Sequence, residues 1–270
     1  MNCLKTKSTP KVFYLLFMAF VVLGSYQSNA QEKIVLYKDL VETIDSLNNS
    51  VLLYKGKPYT GVINNFHSSG QLQGRGNLVD GKPHGLVEKY RENGDLSAKE
   101  YYKNGIKHGV SEAYHENGNL WFKENYIDGK KNGLKEKYDN NGSLRSIENY
   151  KNGVPHGMFE FYDDGHPDKK LSYLDGALDG QALIYHDNGQ LARKENYKNG
   201  EPEGIQIKFH ENGQLASEGN FKHGKVNGMA KWYYDNGQLK EIGNYVSGKK
   251  TGDWKEYGKD GELIKTKNFD

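Results

Sequence analysis

Glycines recur along this 270-residue chain with a fixed period, and that period decides most of what it can fold into. Gly70, Gly94, Gly118 and Gly142 stand 24 residues apart. After one step of 23 to Gly165, the period of 24 resumes at Gly189, Gly213, Gly237 and Gly261. A second set of paired glycines keeps the same phase, from Gly81/Gly85 through Gly105/Gly109 and Gly129/Gly133 to Gly248/Gly252. The missing residue falls in Tyr162-Asp163-Asp164-Gly165, one shorter than Tyr90-Arg91-Glu92-Asn93-Gly94. A period in this range marks a repeat architecture, in which each unit buries its apolar face only against its neighbours. Counting a leading half-unit at Tyr54 to Gly61, nine units fill residues 51–270.

The segments between glycines are too short for helices and long enough for strands, as in Leu86 to Arg91 and Leu96 to Lys103. Their connectors are Asn-Gly or Asp-Gly turns, such as Asn93-Gly94 and Asp164-Gly165, and a second two-glycine turn, such as Asn104 to Gly109. Asn and Gly tolerate the positive φ of tight hairpins. Aromatic residues follow the same clock. Phe66, Tyr90, Tyr114, Tyr138, Tyr162, Tyr185, Phe209, Tyr233 and Tyr257 occupy one slot. Tyr102, Tyr126, Tyr150, Tyr173, Tyr197, Phe221, Tyr245 and Phe269 occupy a second, with Leu78 in its first place. Strand parity, with apolar partners at Leu86/Tyr90, Leu134/Tyr138, Met158/Tyr162, Ile205/Phe209 and Met229/Tyr233 in the first strand and Leu96/Tyr102 in the second, predicts one aliphatic and two aromatic rows on a single face, stacked rung upon rung. The expected fold is all-β: an elongated, single-layer antiparallel meander of tandem hairpins.

Composition supports this. Hydrophobic residues are 35 % of the chain, too few for a large aliphatic core, while 12 % aromatics argue against long disorder. Residues 1–30 read as a secretory signal: Lys5, Lys7 and Lys11, then an apolar run from Val12 to Leu23, then small residues at Ser28 and Ala30. That run is shorter than the ~20 residues a membrane span needs. Cleavage near Ala30 predicts an extracytoplasmic protein, periplasmic, surface-bound or secreted. Cys3 is the sole cysteine, so the mature chain holds neither disulfides nor cysteine chemistry. It also carries 34 basic against 35 acidic residues, which gives no pull toward nucleic acid or anionic lipid. Residues 31–50 lie outside the period and are expected to form an N-terminal cap, extended at Ile34-Val35-Leu36 and Leu40-Val41 and turning at Asn48-Asn49-Ser50. At the far end, Lys265 and Lys267 decorate the last strand as edge-guarding charges.

Units such as Tyr102-Lys103-Asn104-Gly105-Ile106-Lys107-His108-Gly109 and Asp80-Gly81-Lys82-Pro83-His84-Gly85 resemble the bacterial variant of the MORN repeat. The resemblance covers 51–270 and implies an elongated, twisted sheet of hairpins. Many chains of this kind are grouped as YwqK-like antitoxin components, and eukaryotic arrays are associated with membrane tethering and protein scaffolding. This chain lacks the basic surplus that lipid tethering requires.

The motifs that could carry chemistry each fail on spacing or context. Gly76…Gly81-Lys82, Gly219…Gly224-Lys225 and Gly243…Gly248-Lys249 have phosphate-loop spacing but no Ser/Thr after the lysine and no following helix. His84, His108 and His156 share one slot, and His67, His115, His186 and His210 another. Same-slot residues in adjacent hairpins lie roughly 9.5 Å apart, too far to share a metal whose ligands sit ~2 Å from it. These histidines are read as solvated turn and edge residues. Rows Glu88, Glu112, Glu136, Glu160 and Glu100, Glu124, Glu148, Glu195 face lysines and read as charge ladders, since repetition supplies no unlike pair for acid–base work. No cofactor is expected, and the chain is expected not to be an enzyme.

The expected function is an exported, non-enzymatic binding scaffold for another protein, in its narrower form antitoxin- or immunity-like. The alternative is a cell-wall or carbohydrate module that stacks sugars on exposed aromatics. The candidate binding residues are Tyr90, Tyr114, Tyr138, Tyr162, Tyr185 and Tyr233 in the first slot, and Tyr102, Tyr126, Tyr150, Tyr197 and Tyr245 in the second. Most of them are also expected to hold the fold together.

Overall fold

The computed structural model describes residues 34–46 and 48–270. The expected signal segment, its cleavage point and Cys3 lie outside them. From Gly61 to Phe269 the chain is one antiparallel meander, each strand pairing with the one before it and the one after it. Its first strand, Gly61–Phe66, also takes the two-residue strand Val35–Leu36 in parallel on its other side. Tyr37–Asp39 then makes a single 3-10 turn. Val41–Ile44, Ser50–Tyr54 and Lys57–Pro58 form a separate three-stranded antiparallel sheet. The leading half-unit at Tyr54 thus lies in this cap sheet, which joins the array through Leu52 N–H to Gly81 O and Gly81 N–H to Tyr59 O.

The two connectors of each hairpin are built differently, although in most units both contain Asn-Gly or Asp-Gly. In the second, Asn104 (φ 51°) and Gly105 (φ 84°) are both left-handed, and Lys103 pairs directly with Ile106. This is the two-residue type I′ turn. In the first, Gly94 alone is left-handed: Arg91 N–H bonds Asp95 O, Gly94 N–H bonds Arg91 O, and Asn93 Oδ1 accepts from Asp95 N–H. The asparagine there caps its own turn through its side chain. The short unit is the exception. Asp164 (φ 44°) and Gly165 (φ 81°) form a two-residue turn between Asp163 and His166, so deleting one residue has turned the longer loop into the shorter.

Bulges correct the single-face expectation. Lys89 pairs with Ala98 and Tyr90 with Leu96, which leaves Ser97 as an extra residue; the same slip recurs at Arg145, Ala192 and Lys240. One extra residue reverses the facing of everything beyond it. Leu96 therefore shares a face with Tyr90, while Tyr102 points to the other side beside Glu100. The two tyrosine rows lie on opposite faces.

One face, here the packed face, carries a continuous cross-strand row through Val87, Glu100, Ser111, Glu124 and Lys135. Further along come Leu171, Ala182 and Glu195, then Gly219, Ala230 and Gly243. Most of the core lies here: Leu78, Phe159, Ala182, Ala230 and Trp254 are buried, with Ser111, Glu100, Glu124 and Glu195 among them. Rungs of one slot are too far apart to stack, so lysines fill the gaps between tyrosines. Lys107 Nζ lies 5.2 Å from the Tyr126 ring centre and Lys131 Nζ 5.3 Å from that of Tyr150. Rings meet directly where the row turns apolar, at Tyr150, Phe159 and Tyr173 and again at Trp232, Tyr245, Trp254 and Phe269.

Candidate interaction surface

Every side chain in the predicted tyrosine set has a defined setting, and all are half-buried. On the packed face the Tyr102, Tyr126, Tyr150 and Tyr197 hydroxyls donate to the glutamates two residues before them, at 2.6–2.9 Å. On the open face Tyr114, Tyr138 and Tyr162 do the same to Glu112, Glu136 and Glu160, and Tyr233 donates to Glu218. Burial first, then the facing carboxylate, raises the pKa of these phenols, that of Tyr114 to about 12.

The glutamates are held in turn by lysines. Glu100 accepts from Lys107 at 2.7 Å, Lys89 at 2.8 Å and Tyr102 at 2.9 Å. Burial raises its pKa, but these three bonds outweigh burial and bring it down to about 2. On the open face a bond from Lys170 lowers the pKa of Glu160, and one from Lys231 that of Glu218. The tyrosine and glutamate rows thus form a closed network of fixed charges.

The histidines also hold the array together. Nε2 of His67, His115, His186 and His210 lies 3.0–3.1 Å from the carbonyl of the next hairpin's aromatic residue, 23 residues on. A carbonyl only accepts, so the ring proton sits on Nε2. Tyr234 Oη makes the same bond to Tyr257 O. These four histidines are half-buried staples, which corrects the solvated reading. Asn117, Asn188, Asn212 and Asn236 add a parallel ladder from their Nδ2 to the next turn's carbonyls. Among the described residues no group of three or more His, Cys, Asp or Glu is placed to hold a metal.

What the network leaves free is an aliphatic row on the open face, one residue after the second glycine of each pair. Leu134 (53 %), Met158 (45 %), Ile205 (58 %) and Met229 (59 %) are exposed, in line with half-buried Val62, Leu86 and Val110. Each pairs across to a polar residue or to Tyr101: Leu86 to Tyr101, Val110 to Asn125, Leu134 to Asn149, Ile205 to Asn220 and Met229 to Asn244. Two of these asparagines donate to main-chain carbonyls of the neighbouring strand, Asn125 to Asn132 O and Asn220 to Asn227 O. The face thus carries a line of aliphatic side chains in steps of two strands or about 9.6 Å, interrupted by Gln181 between Met158 and Ile205 and ending at Asp253. Sequence reasoning named these residues only as partners of the tyrosines and missed their exposure.

Six segments, 83–104, 107–128, 131–152, 178–199, 202–223 and 226–247, match the family described as MORN repeat variant. These six units are MORN repeats of this variant type. The stretches outside the match hold the unit with Gly74 and Gly76, the shortened unit with Phe159, and the final unit with Trp254. No curated protein matches the chain. Among solved structures it is similar to part of one titled "Crystal Structure of TcdB2-TccC3", with 15 % identity, a TM-score of 0.21, and coverage of 85 % of this chain and 15 % of that chain. A Tc holotoxin pore of Photorhabdus luminescens gives 12 % identity and a TM-score of 0.21 over 85 % of this chain and 15 % of that chain. The chain spans about a seventh of these proteins' length, and likeness at this level carries no argument.

Proposed function

We propose that this MORN array is an exported, non-enzymatic scaffold that binds a protein partner through the aliphatic row of its open face. The observation that carries the reading is the exposure of Leu134, Met158, Ile205 and Met229 in one repeat slot. Large apolar side chains held in register on a surface mark an interaction site, and a rigid linear array offers an extended one. Export rests on the basic and apolar pattern of residues 1–30. Its narrower form is an immunity- or antitoxin-like protein, which after export neutralises a target outside the cytosol. The polysaccharide reading draws less support, because sugar stacking needs free ring faces and these tyrosines are half-buried, with most of their hydroxyls tied to glutamate.

The test is capture of envelope proteins on the immobilised chain, with wall polysaccharide scored in parallel. A saturable protein partner is expected. It is lost from a Leu134→Glu/Met158→Glu/Ile205→Glu variant whose circular dichroism is unchanged. Retention of the partner by that variant, or binding of polysaccharide alone, overturns the proposal.

A further inference from the structure

The packed face contains its own example of an aromatic seat. Gly243 has no side chain, and the indole of Trp254 lies directly on it: a Cβ there would meet ring atoms at 2.1 Å. Trp232 and Tyr245 wall the ring at 5.7 and 5.0 Å between centres, and Lys250 Nζ lies 3.6 Å above it. Seven repeats earlier the same slots hold Gly76 for Gly243, Val87 for Trp254, Asn65 for Trp232, Leu78 for Tyr245 and Pro83 for Lys250, with Gly74 for Glu241. Small or apolar residues have replaced every large ring, while the glycine floor is kept and doubled.

The vacated volume is a cleft of about 910 Å³. Ile63, Gly74, Gly76 and Val87 line it on the sheet side, and Glu42, Asn49 and Leu52 line it from the cap. Val87 Cγ2 would stand 3.1 Å from a Cβ on Gly76, so Gly76 is the floor's inner edge. At Gly74 a Cβ would meet only Glu88 O, at 3.4 Å, so this part of the floor is open. The cap is fixed over it by the 2.6 Å ion pair of Lys82 with Asp45 and by the Leu52–Gly81 hydrogen bond, so the cleft is preformed.

We infer that this cleft receives an aromatic side chain of a polypeptide partner, seated on the open floor at Gly74 beside Val87, which itself covers Gly76 in the place Trp254 takes over Gly243. The inference rests on the protein-binding reading above and adds to it a second, packed-face anchor. The test is ¹⁵N NMR titration of the chain with the peptide Ac-TTWTT-NH₂, its leucine analogue Ac-TTLTT-NH₂, and free indole. The tryptophan peptide is expected to give saturable ring-current shifts at the Gly74 and Gly76 amides, with the leucine peptide at least tenfold weaker and indole weaker than the peptide. Gly74 has ordinary extended geometry, so Gly74→Leu fills the seat without strain and should abolish the shifts with melting temperature retained; Gly74→Ala should weaken them. Shifts that map elsewhere, or equal binding by Gly74→Leu, overturn the inference. Indole binding as tightly as the peptide makes the cleft a small-molecule site and also overturns it. Because the peptide arm needs no natural partner, loss of the open-face reading and loss of this one are separately visible.

Discussion

Replacing Glu100 by glutamine tests the idea that the packed face is an electrostatic lattice. Its carboxylate is buried and accepts from Lys107, Lys89 and Tyr102. The fall of its pKa from 4.5 to about 2 corresponds to roughly 3 kcal/mol at 1.36 kcal/mol per pH unit. Both lysines are partly solvated, which trims this to about 2 kcal/mol by screening. The sign follows from a folded pKa below the unfolded one: the stabilisation is full above pH 4.5 and is lost as pH falls through 2. At pH 3 less than half of it survives, and at pH 2 about a tenth. In a linear array the effect is local, so the assay is hydrogen exchange across Leu96–Lys103 and Ile106–Tyr114. Glu100→Gln should lower protection there roughly 30-fold at pH 7, with little change in distant repeats and convergence with wild type near pH 2. Equal protection at pH 7, or a difference that persists unchanged to pH 2, refutes the reasoning.

Other outcomes follow from the same geometry. Gly243→Ala drives a methyl into the Trp254 ring and should cost about 1–3 kcal/mol in urea denaturation, with altered near-ultraviolet dichroism; an unchanged midpoint would mean the ring is not seated there. Asn152→Ala, at φ 53°, should destabilise by about 1–2 kcal/mol. Asn141→Ala, which forfeits only a side-chain bond to Ser143 N–H, should cost about half that, and the reverse order would disprove the assignment of the two turn types. Alkaline difference spectra at 295 nm should show the glutamate-paired tyrosines ionising above the ordinary pH 10, Tyr114 near 12. Because their folded pKa is raised, the stability they contribute is full below pH 10 and lost as pH climbs through the raised values; a single transition at pH 10 in the folded protein would contradict the pairing.

The glycine clock made the hairpins legible because the left-handed position that closes each turn is held by Gly in every unit. Facing was not legible past the first bulge. The extra residue is Ser97 in one unit, Arg145, Ala192 or Lys240 in others, so its position carries no compositional mark. The two Asn-Gly connectors look alike as dipeptides, and only the count of flanking residues separates Asn93-Gly94 from Asn104-Gly105. The exposed row was hidden for the same reason: Leu134 and Met158 read as core until the bulges place the buried row on the opposite face. The 9.5 Å rung spacing that excluded a metal between histidines also excludes tyrosine stacking, a consequence the sequence reading did not carry across.

The staples from His67, His115, His186 and His210 each reach only the next hairpin, 23 residues ahead. The type I′ turns are joined in the same way, Gly129 N–H to Lys107 O and Gly153 N–H to Lys131 O. Such an array has no preferred length. Duplicating a unit beside another of the same kind keeps these backbone joints intact, so copy number can drift by unequal recombination among such units. Each added copy would advance the aliphatic line by one further step of about 9.6 Å. The molecule therefore behaves as a ruler whose graduations are set by hairpin geometry and whose extent is set by gene duplication alone.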